Sequence, residues 1–251
     1  MGVVIPGAGC AARNSSASGA QVIDGSLKFW RESSSVGSYL TRTPSTTGNR
    51  KVFTLSVWLK RCSNLGEWQR IISASPAAAE ISALAFRGDG NTDGLRLQLQ
   101  YSGVNDHWTS SAKYRDTSGW YHVVMSVDLS LGSGASQKIY INGVRDTGSY
   151  TTGSEPSSSD EYFFNDASTE HRIATGDVYP TNFDGLMSQF YWIDGQALEP
   201  SDFGYSDPLT NTWRPKKYTG GLTVVEGTEL LYNVNTADNG FDSSSTSRTV
   251  A

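Results

Sequence analysis

The residue spacing best suited to metal chemistry in this chain is the segment DGNTDG at residues 89–94. Its oxygen-bearing side chains, Asp89, Asn91 and Asp93, can converge on a hard cation such as calcium, and the final glycine permits a sharp turn. A calcium loop places a bidentate glutamate at its twelfth position, but that residue is Gln100 here. Asp, Asn and Gly also dominate ordinary turns, so both a calcium loop and a plain hairpin loop remain open.

The three histidines, His107, His122 and His171, lie far apart and lack the spacing of a zinc site or a Ser-His-Asp triad. His122 falls within an alternating apolar segment, so we interpret it as a hydrogen-bonded strand histidine rather than a catalytic base. The sequence therefore indicates neither an activated nucleophile nor a tetrahedral metal site.

A set of aromatic side chains offers a candidate binding surface, either a platform on which sugar rings stack or anchors against another protein subunit. Its members are Trp58, Trp108, Trp120, Tyr140 and Trp192. Polar neighbours such as Gln98 would bond sugar hydroxyls. The competing interpretation is that most of these rings pack in the interior, as large apolar side chains commonly do.

The elements that would position these residues are β-strands. Residues 120–127 alternate between two faces, and residues 137–141 form a second strand that ends in Asn142-Gly143, a strong hairpin signal. Further strands are predicted at 26–30, 38–42, 52–60, 68–74, 81–86, 95–101, 171–175, 187–193 and 229–234.

Two of these strands differ in how they meet solvent, and two other segments read as loops. Residues 95–101 alternate with one wet face, whereas residues 187–193 are apolar on both faces, which predicts a strand buried on both sides or covered by loops. Residues 150–160 and the basic cluster at 214–217 are interpreted as loops.

Composition favours one large all-β domain. The chain has 251 residues, 26 glycines and 11% aromatic residues, with no long helical periodicity.

The net charge is −5 and basic residues are dispersed, so no nucleic-acid partner is expected. Cys10 and Cys62 are interpreted as unpaired thiols. The N-terminus does not fit a signal peptide and no run of 18 apolar residues exists, so we expect synthesis in a cytoplasm without membrane insertion.

Several segments resemble the laminin-G/concanavalin A-like jelly-roll domains of marine bacteriophage structural proteins, over about residues 26–220. They are the strand pair at 119–128 and 137–144, the opening strands at 39–44 and 53–61, the closing strands at 183–188 and 192–198, and a coda at 199–204 and 213–218. The coda is the most specific to the phage group.

This resemblance implies an antiparallel two-sheet jelly-roll sandwich at residues 26–220. Residues 1–25 would be a flexible arm ordered by a partner, and residues 221–251 an extension with a last strand. The implied function is a virion structural protein, made in the host cytoplasm and displayed on the virion surface. Because the chain stops soon after one domain, we expect a capsid decoration or head-fibre subunit rather than a long tail fibre.

Such a subunit would attach through the arm to the major capsid protein or to fibre subunits. We expect it to form a homo-oligomer, with a trimer as the expected state. It would stabilise the shell, adhere to a host cell-surface glycan, or do both. The alternative is a carbohydrate-binding tail-fibre or receptor-binding protein. A glycoside hydrolase of this fold is least expected, because the paired carboxylates that jelly-roll glucanases carry in a pattern like Glu-x-Asp-x-x-Glu are missing.

Overall fold

The computed structural model describes residues 25–33, 36–63, 66–89, 93–176 and 181–220, and the backbone of residues 231 and 232. These residues form sixteen strands and one turn of 3-10 helix at Pro200–Asp202. The strands are β1 (Leu27–Phe29), β2 (Leu40–Arg42), β3 (Val52–Arg61), β4 (Gln69–Ala77), β5 (Glu80–Phe86), β6 (Leu95–Tyr101), β7 (Val104–Thr109), β8 (Tyr121–Asp128), β9 (Gln137–Ile141), β10 (Val144–Arg145), β11 (Ser149–Thr152), β12 (His171–Ile173), β13 (Gly185–Asp194), β14 (Gly204–Ser206), β15 (Trp213–Pro215) and β16 (Leu231–Tyr232).

Two large antiparallel sheets face each other. The first sheet has the order β1-β13-β3-β8-β9-β10, with β16 also pairing with β13, and the second has the order β11-β7-β6-β5-β4-β12-β2. Neighbouring strands in each sheet are often distant in sequence, as in the pairing of β13 with β3. The fold is therefore the all-β jelly-roll sandwich that the sequence led us to expect.

The main core lies between the two sheets and follows the alternation of the strands. Phe53, Leu55 and Val57 of β3 are fully buried, and Phe53 stacks on Trp192 of β13 with ring centroids 5.0 Å apart. Burying each such side chain stabilises the fold by about 1.5–3 kcal/mol. On β6, the leucines point inward and the residues between them stay partly exposed, which confirms the predicted wet face.

The outer face of the first sheet is covered by residues 196–218, here called the covering segment. This segment contains the 3-10 turn and the β14–β15 hairpin. It packs Phe203, with Leu198 and Tyr218, against Val124 and Tyr191 on the sheet. The predicted strand that is apolar on both faces is thus confirmed, because one face of β13 meets the main core and the other meets this segment.

The hairpin between β9 and β10 turns at Asn142 and Gly143, as the sequence predicts. Both residues have positive φ angles, 50° and 79°, which a type I′ turn requires. A Cβ atom at Gly143 would lie 2.5 Å from the ring of Trp213, so glycine also lets the covering segment approach this turn closely.

Some sequence predictions differ from the structure. The loop predicted at 150–160 begins within β11, and the basic cluster at 214–217 begins within β15, because short exposed strands are fixed by backbone pairing rather than by apolar residues. The last strand is present as β16, paired with β13.

Cys62 is an exposed free thiol, whereas Cys10 and the arm before Gly25 lie outside the described residues. No helix in the described ranges is long and apolar enough to cross a bilayer.

Candidate functional site

A cleft of about 430 Å³ opens between two loops that lie far apart in sequence, and we call it the rim cleft. One loop joins β8 to β9, and the other follows β11. The lining residues are Leu129, Ser130, Leu131, Gly132, Ser133, Ser154, Glu155, Pro156, Ser157 and Ser158. Its volume lies within the range of small-molecule binding sites, about 300–1,000 Å³.

The chemistry of the rim cleft is that of uncharged hydroxyl groups beside a small apolar surface. Five of its lining residues are serines, and Leu129, Leu131 and Pro156 supply the apolar part. The hydroxyls of Ser130, Ser133 and Ser157 already donate to Asp128, Glu155 and Asp160, so they offer acceptor lone pairs to a ligand. This combination suits a ligand that itself presents hydroxyl groups on an apolar ring, as a sugar does.

Glu155 holds the two loops of the rim cleft together. Its carboxylate accepts hydrogen bonds from the Ser133 hydroxyl at 2.8 Å, from the Gly134 amide at 2.5 Å and from the Ser136 hydroxyl at 2.5 Å. Partial burial raises the pKa of Glu155, but these bonds from Ser136, Gly134 and Ser133 outweigh it and lower the pKa overall. The carboxylate therefore fixes the cleft geometry before any ligand binds.

An aromatic corner lies in a smaller cleft of about 190 Å³, whose lining residue Ser159 directly follows Ser158 of the rim cleft. Tyr101 and Phe163 meet edge to face at 90° with centroids 6.4 Å apart, and the Arg50 guanidinium lies 5.7 Å from the Phe163 centroid. Ser159 and Glu161 complete the lining. Both rings are partly exposed, so they offer the kind of surface on which a sugar ring packs.

Two further acidic groups near these clefts, Asp106 and Asp160, brace the loop after β11, whereas Glu161 pairs with Arg50 at 3.0 Å. Asp160 accepts hydrogen bonds from the Tyr101 hydroxyl and from the Ser157 amide and hydroxyl. Burial raises the pKa of Asp106, yet a Cβ at Gly153 would lie 2.1 Å from its Oδ1, so backbone covers this carboxyl group. A sugar bound in the rim cleft would not reach Asp106.

His122 is structural in its contacts. Its Nδ1 accepts a hydrogen bond from Trp213 Nε1 at 2.9 Å, so its Nε2 carries the proton and donates to the Ser56 hydroxyl at 2.8 Å. Burial lowers the pKa of His122 to about 3. A histidine that donates to a serine cannot take that serine's proton, so this pair does not form a nucleophile with its base.

The five aromatic residues that the sequence analysis singled out do not share a surface. Trp108 and Trp192 lie in the main core, and Tyr140 packs under the covering segment. Trp58 stacks on His122 at 4.8 Å, and Trp120 is partly exposed just before β8. Four of the five rings are therefore buried packing residues, as the competing interpretation held.

The predicted calcium loop engages arginines through the two carboxylates that the structure describes. Asp93 binds Arg61 at 2.9 Å and Arg115 at 3.0 Å, and Asp89 binds Arg87. Asn91 lies outside the described residues. No cluster of three potential metal ligands from His, Cys, Asp and Glu occurs among the residues that the structure describes. Calcium binding stays a prediction, which fails if calcium leaves the melting temperature unchanged.

Sequence reasoning missed the rim cleft and the aromatic corner. The two loops are Ser- and Gly-rich, which the sequence shows, but that composition is shared by ordinary turns. The usable signal was an acidic residue within each Ser-rich segment, Asp128 in one and Glu155 in the other, because such residues commonly anchor loops through hydroxyl and amide donors.

The fold and the clefts at its loops define a lectin-like β-sandwich. A family profile, described as the concanavalin A-like lectin/glucanases superfamily, matches residues 34–202. The chain belongs to this superfamily. A comparison with curated protein sequences found no significant match.

Solved structures share the fold at low sequence identity. A native heptameric SAP-like pentraxin from Limulus polyphemus matches with a TM-score of 0.50 and 17% identity over 71% of this chain and 79% of its own. Domain 4 of the extracellular arabinanase AbnA from Geobacillus stearothermophilus, in complex with arabinotriose, gives 0.46 and 18% over 72% and 82%. Tailspike protein 2 of Escherichia coli O157:H7 bacteriophage CAB120 gives 0.46 and 10% over 71% of this chain, which spans only 25% of the tailspike.

Proposed function

We propose that this chain is a non-enzymatic glycan-binding domain displayed on the surface of a bacteriophage particle. The observation that carries the binding function is the rim cleft, where five serine hydroxyls and an apolar wall are held in place by Glu155. The adjoining aromatic corner extends this surface by a second, smaller cleft. A preformed cleft of this kind binds without the entropic cost of ordering loops.

The absence of catalysis is supported by the bonding of the acidic residues around the cleft. Glu155 accepts three hydrogen bonds from its own loops, and Asp160 accepts three from Tyr101 and Ser157. Cleavage of a glycosidic bond requires one carboxyl group that gives a proton and a second that acts as base or nucleophile. Carboxylates with depressed pKa values that hold loop donors are poor proton donors at neutral pH.

Display on a particle is supported by the resemblance of residues 199–204 and 213–218 to the coda of phage structural proteins. In this chain, that coda is the part of the covering segment that carries Phe203 and Trp213 onto the first sheet. We propose that residues 1–25 attach the domain to the major capsid protein or to fibre subunits, and that several copies assemble, with a trimer as the expected state. Weak binding of one glycan by each copy then gives useful avidity.

The binding function is tested with an array of bacterial surface oligosaccharides and two tryptophan variants. Ser158 is exposed and lines the rim cleft, so Ser158→Trp fills it, whereas Ser45→Trp places the same ring on an exposed loop elsewhere. We expect the wild type and Ser45→Trp to bind the same oligosaccharides and Ser158→Trp to lose that binding. Equal binding by Ser158→Trp, or no binding by the wild type, would refute the rim cleft as a glycan site.

Particle display is tested separately by deleting residues 1–25 and purifying particles. We expect the truncated chain to keep the melting temperature of the domain and to be missing from particles, as measured by immunoblot. Normal incorporation of the truncated chain would show that attachment does not use the arm.

A further inference from the structure

Arg96 on the outer face of the second sheet and Arg87 just after β5 form an arginine pair around one carboxylate. Arg96 lies on β6 between the inward-facing Leu95 and Leu97, so its side chain projects to the opposite, outer face. The register places it between Ala85 on β5 and Thr109 on β7.

The two guanidinium groups share one described carboxylate, that of Asp89. Arg87 binds its Oδ1 through Nε at 2.6 Å and through Nη2 at 2.5 Å, whereas Arg96 Nη2 is 3.7 Å from its Oδ2. The arginine side chains are 9% and 11% exposed, while that of Asp89 is 45% exposed. Two nearly buried positive charges thus face one carboxylate that solvent reaches.

Arg96 has hydrogen-bonding capacity to spare in a fixed position. Its Nε is buried without a hydrogen-bond partner, and its guanidinium lies 5.1 Å from the centroid of the Trp68 ring. The aromatic contact holds the planar fork in place, which favours bidentate recognition of an anion. Nη2 of Arg96 lies 3.7 Å from Asp89 Oδ2, so Nη2 is the donor that an anion at the position of this carboxylate would reach.

Neighbouring groups experience the positive potential of the pair. Burial lowers the pKa of His107 to about 4, and the charges of Arg96 and Arg87 contribute further. His107 is therefore neutral at physiological pH and adds no charge of its own. Its Nε2 is also buried without a hydrogen-bond partner, on the strand beside β6.

We propose that the arginine pair binds the carboxylate or sulfate group of an acidic sugar chain, and that Asp89 stands in for this anion when no ligand is bound. Asp89 then acts as an internal competitor, which the ligand's anion displaces from Arg87 while it also engages Arg96. Charge-assisted, bidentate bonds of this kind are the strongest polar contacts that a protein offers to an anion. This inference rests on the proposed function only in taking the anion to be part of a glycan.

The test measures binding of three matched probes by calorimetry: a galacturonic acid trisaccharide, a sulfated galactose trisaccharide and the neutral galactose trisaccharide. We expect the wild type to bind at least one acidic probe more tightly than the neutral one, and to lose this preference as ionic strength rises to about 1 M. The two acidic probes distinguish a carboxylate from a sulfate as the group bound. No preference for either acidic probe would overturn the proposal.

Two variants assign the binding to the pair. Arg96→Gln should weaken acidic-probe binding by roughly tenfold or more, because a charge-assisted hydrogen bond is lost. Arg214→Gln, at a half-exposed arginine on β15, is the matched control and should change it by less than about twofold. Equal effects of the two variants would overturn the proposal.

Asp89→Asn keeps the assay decisive if Arg96→Gln fails to fold. Removing the competing charge should tighten acidic-probe binding, whereas unchanged or weaker binding would contradict the role of Asp89.

Ser158→Trp separates this inference from the rim cleft. If it abolishes neutral-probe binding while the acidic preference is absent, only the arginine-pair proposal fails. If acidic binding depends on Arg96 while neutral probes never bind, only the rim-cleft proposal fails.

Discussion

Trp213 Nε1 donates a 2.9 Å hydrogen bond to His122 Nδ1, and this bond fastens the covering segment to the outer face of the first sheet. The His122 ring stacks on Trp58 with centroids 4.8 Å apart, and its centroid lies 6.0 Å from that of Trp213. The bond also fixes the tautomer of a buried histidine, because an Nδ1 that accepts leaves the proton on Nε2. One hydrogen bond therefore both attaches the covering segment to the sheet and fixes which nitrogen of His122 carries the proton.

Removing this donor should destabilise the protein. We expect Trp213→Phe to lower the free energy of unfolding by about 1–3 kcal/mol, because it leaves His122 Nδ1 buried without a donor. Urea denaturation monitored by circular dichroism measures the change. Trp30→Phe, at a tryptophan that is 49% exposed, is the control. Similar losses in the two variants would show that the bond to His122 contributes little.

Acid should destabilise the fold through its buried histidines, and this loss should begin at pH values well above the pKa values of most carboxylates. Burial lowers the pKa of His122 to about 3 and that of His171 to about 4. His171 Nε2 also accepts a bond from the Asn165 amide at 2.8 Å, which protonation would break. The unfolded chain takes up these protons near pH 6.5, so stability is complete above that value and falls as the pH decreases below it.

The pH effect can be assigned to one residue. Between about pH 7 and about pH 5, each of these histidines should cost about 2 kcal/mol of unfolding free energy. We expect the loss for His122→Gln over this range to be smaller than that of the wild type by this amount. The groups common to both proteins cancel in the difference. Parallel pH profiles would mean that His122 is protonated in the folded state as readily as in the unfolded chain.

Removing one partner of the buried ion pair between Arg61 and Asp93 should strongly destabilise the fold. Both side chains are at most 3% exposed, and the Arg61 guanidinium lies 4.3 Å from the centroid of the Phe86 ring. We expect Asp93→Asn to reduce the unfolding free energy by about 3–5 kcal/mol, because it leaves the charge of Arg61 buried without compensation. Asp207→Asn, at a partly exposed carboxylate whose ionic partner Arg214 is half-exposed, should have a much smaller effect in the same urea titration. A negligible loss in Asp93→Asn would show that water replaces the carboxylate.

The rim cleft should loosen when Glu155 is removed. Glu155→Ala deletes the acceptor of three hydrogen bonds from the β8–β9 loop, so we expect amide exchange in residues 133–136 to accelerate by about tenfold or more. Hydrogen–deuterium exchange with mass spectrometry measures this rate. Glu161→Ala removes an exposed carboxylate of the adjoining cleft and should leave these amides unchanged. Unaltered exchange in Glu155→Ala would show that the loop holds its shape without the carboxylate.

The strands and their faces follow directly from the sequence. Alternation of apolar residues predicts β3, β6 and β8, and Asn142-Gly143 predicts the hairpin, because side-chain direction and turn geometry are local properties of the backbone. The same logic predicts that β13 is covered on both faces. Apolar alternation does not predict short exposed strands such as β11, because pairing with a partner strand rather than their own composition defines them.

The tertiary structure decided which side chains meet. The sequence determined that Asp89 and Asp93 carry oxygens at the spacing of a calcium loop, but Arg61, 32 residues from Asp93, determines what Asp93 binds. The rim cleft likewise joins Ser133 to Glu155 across 22 residues, and Trp213 reaches His122 across 91. The periodicity of apolar residues predicts the face of a strand on which a residue lies. Contacts between loops depend instead on how the two sheets stack, and a local pattern of residues does not encode that arrangement.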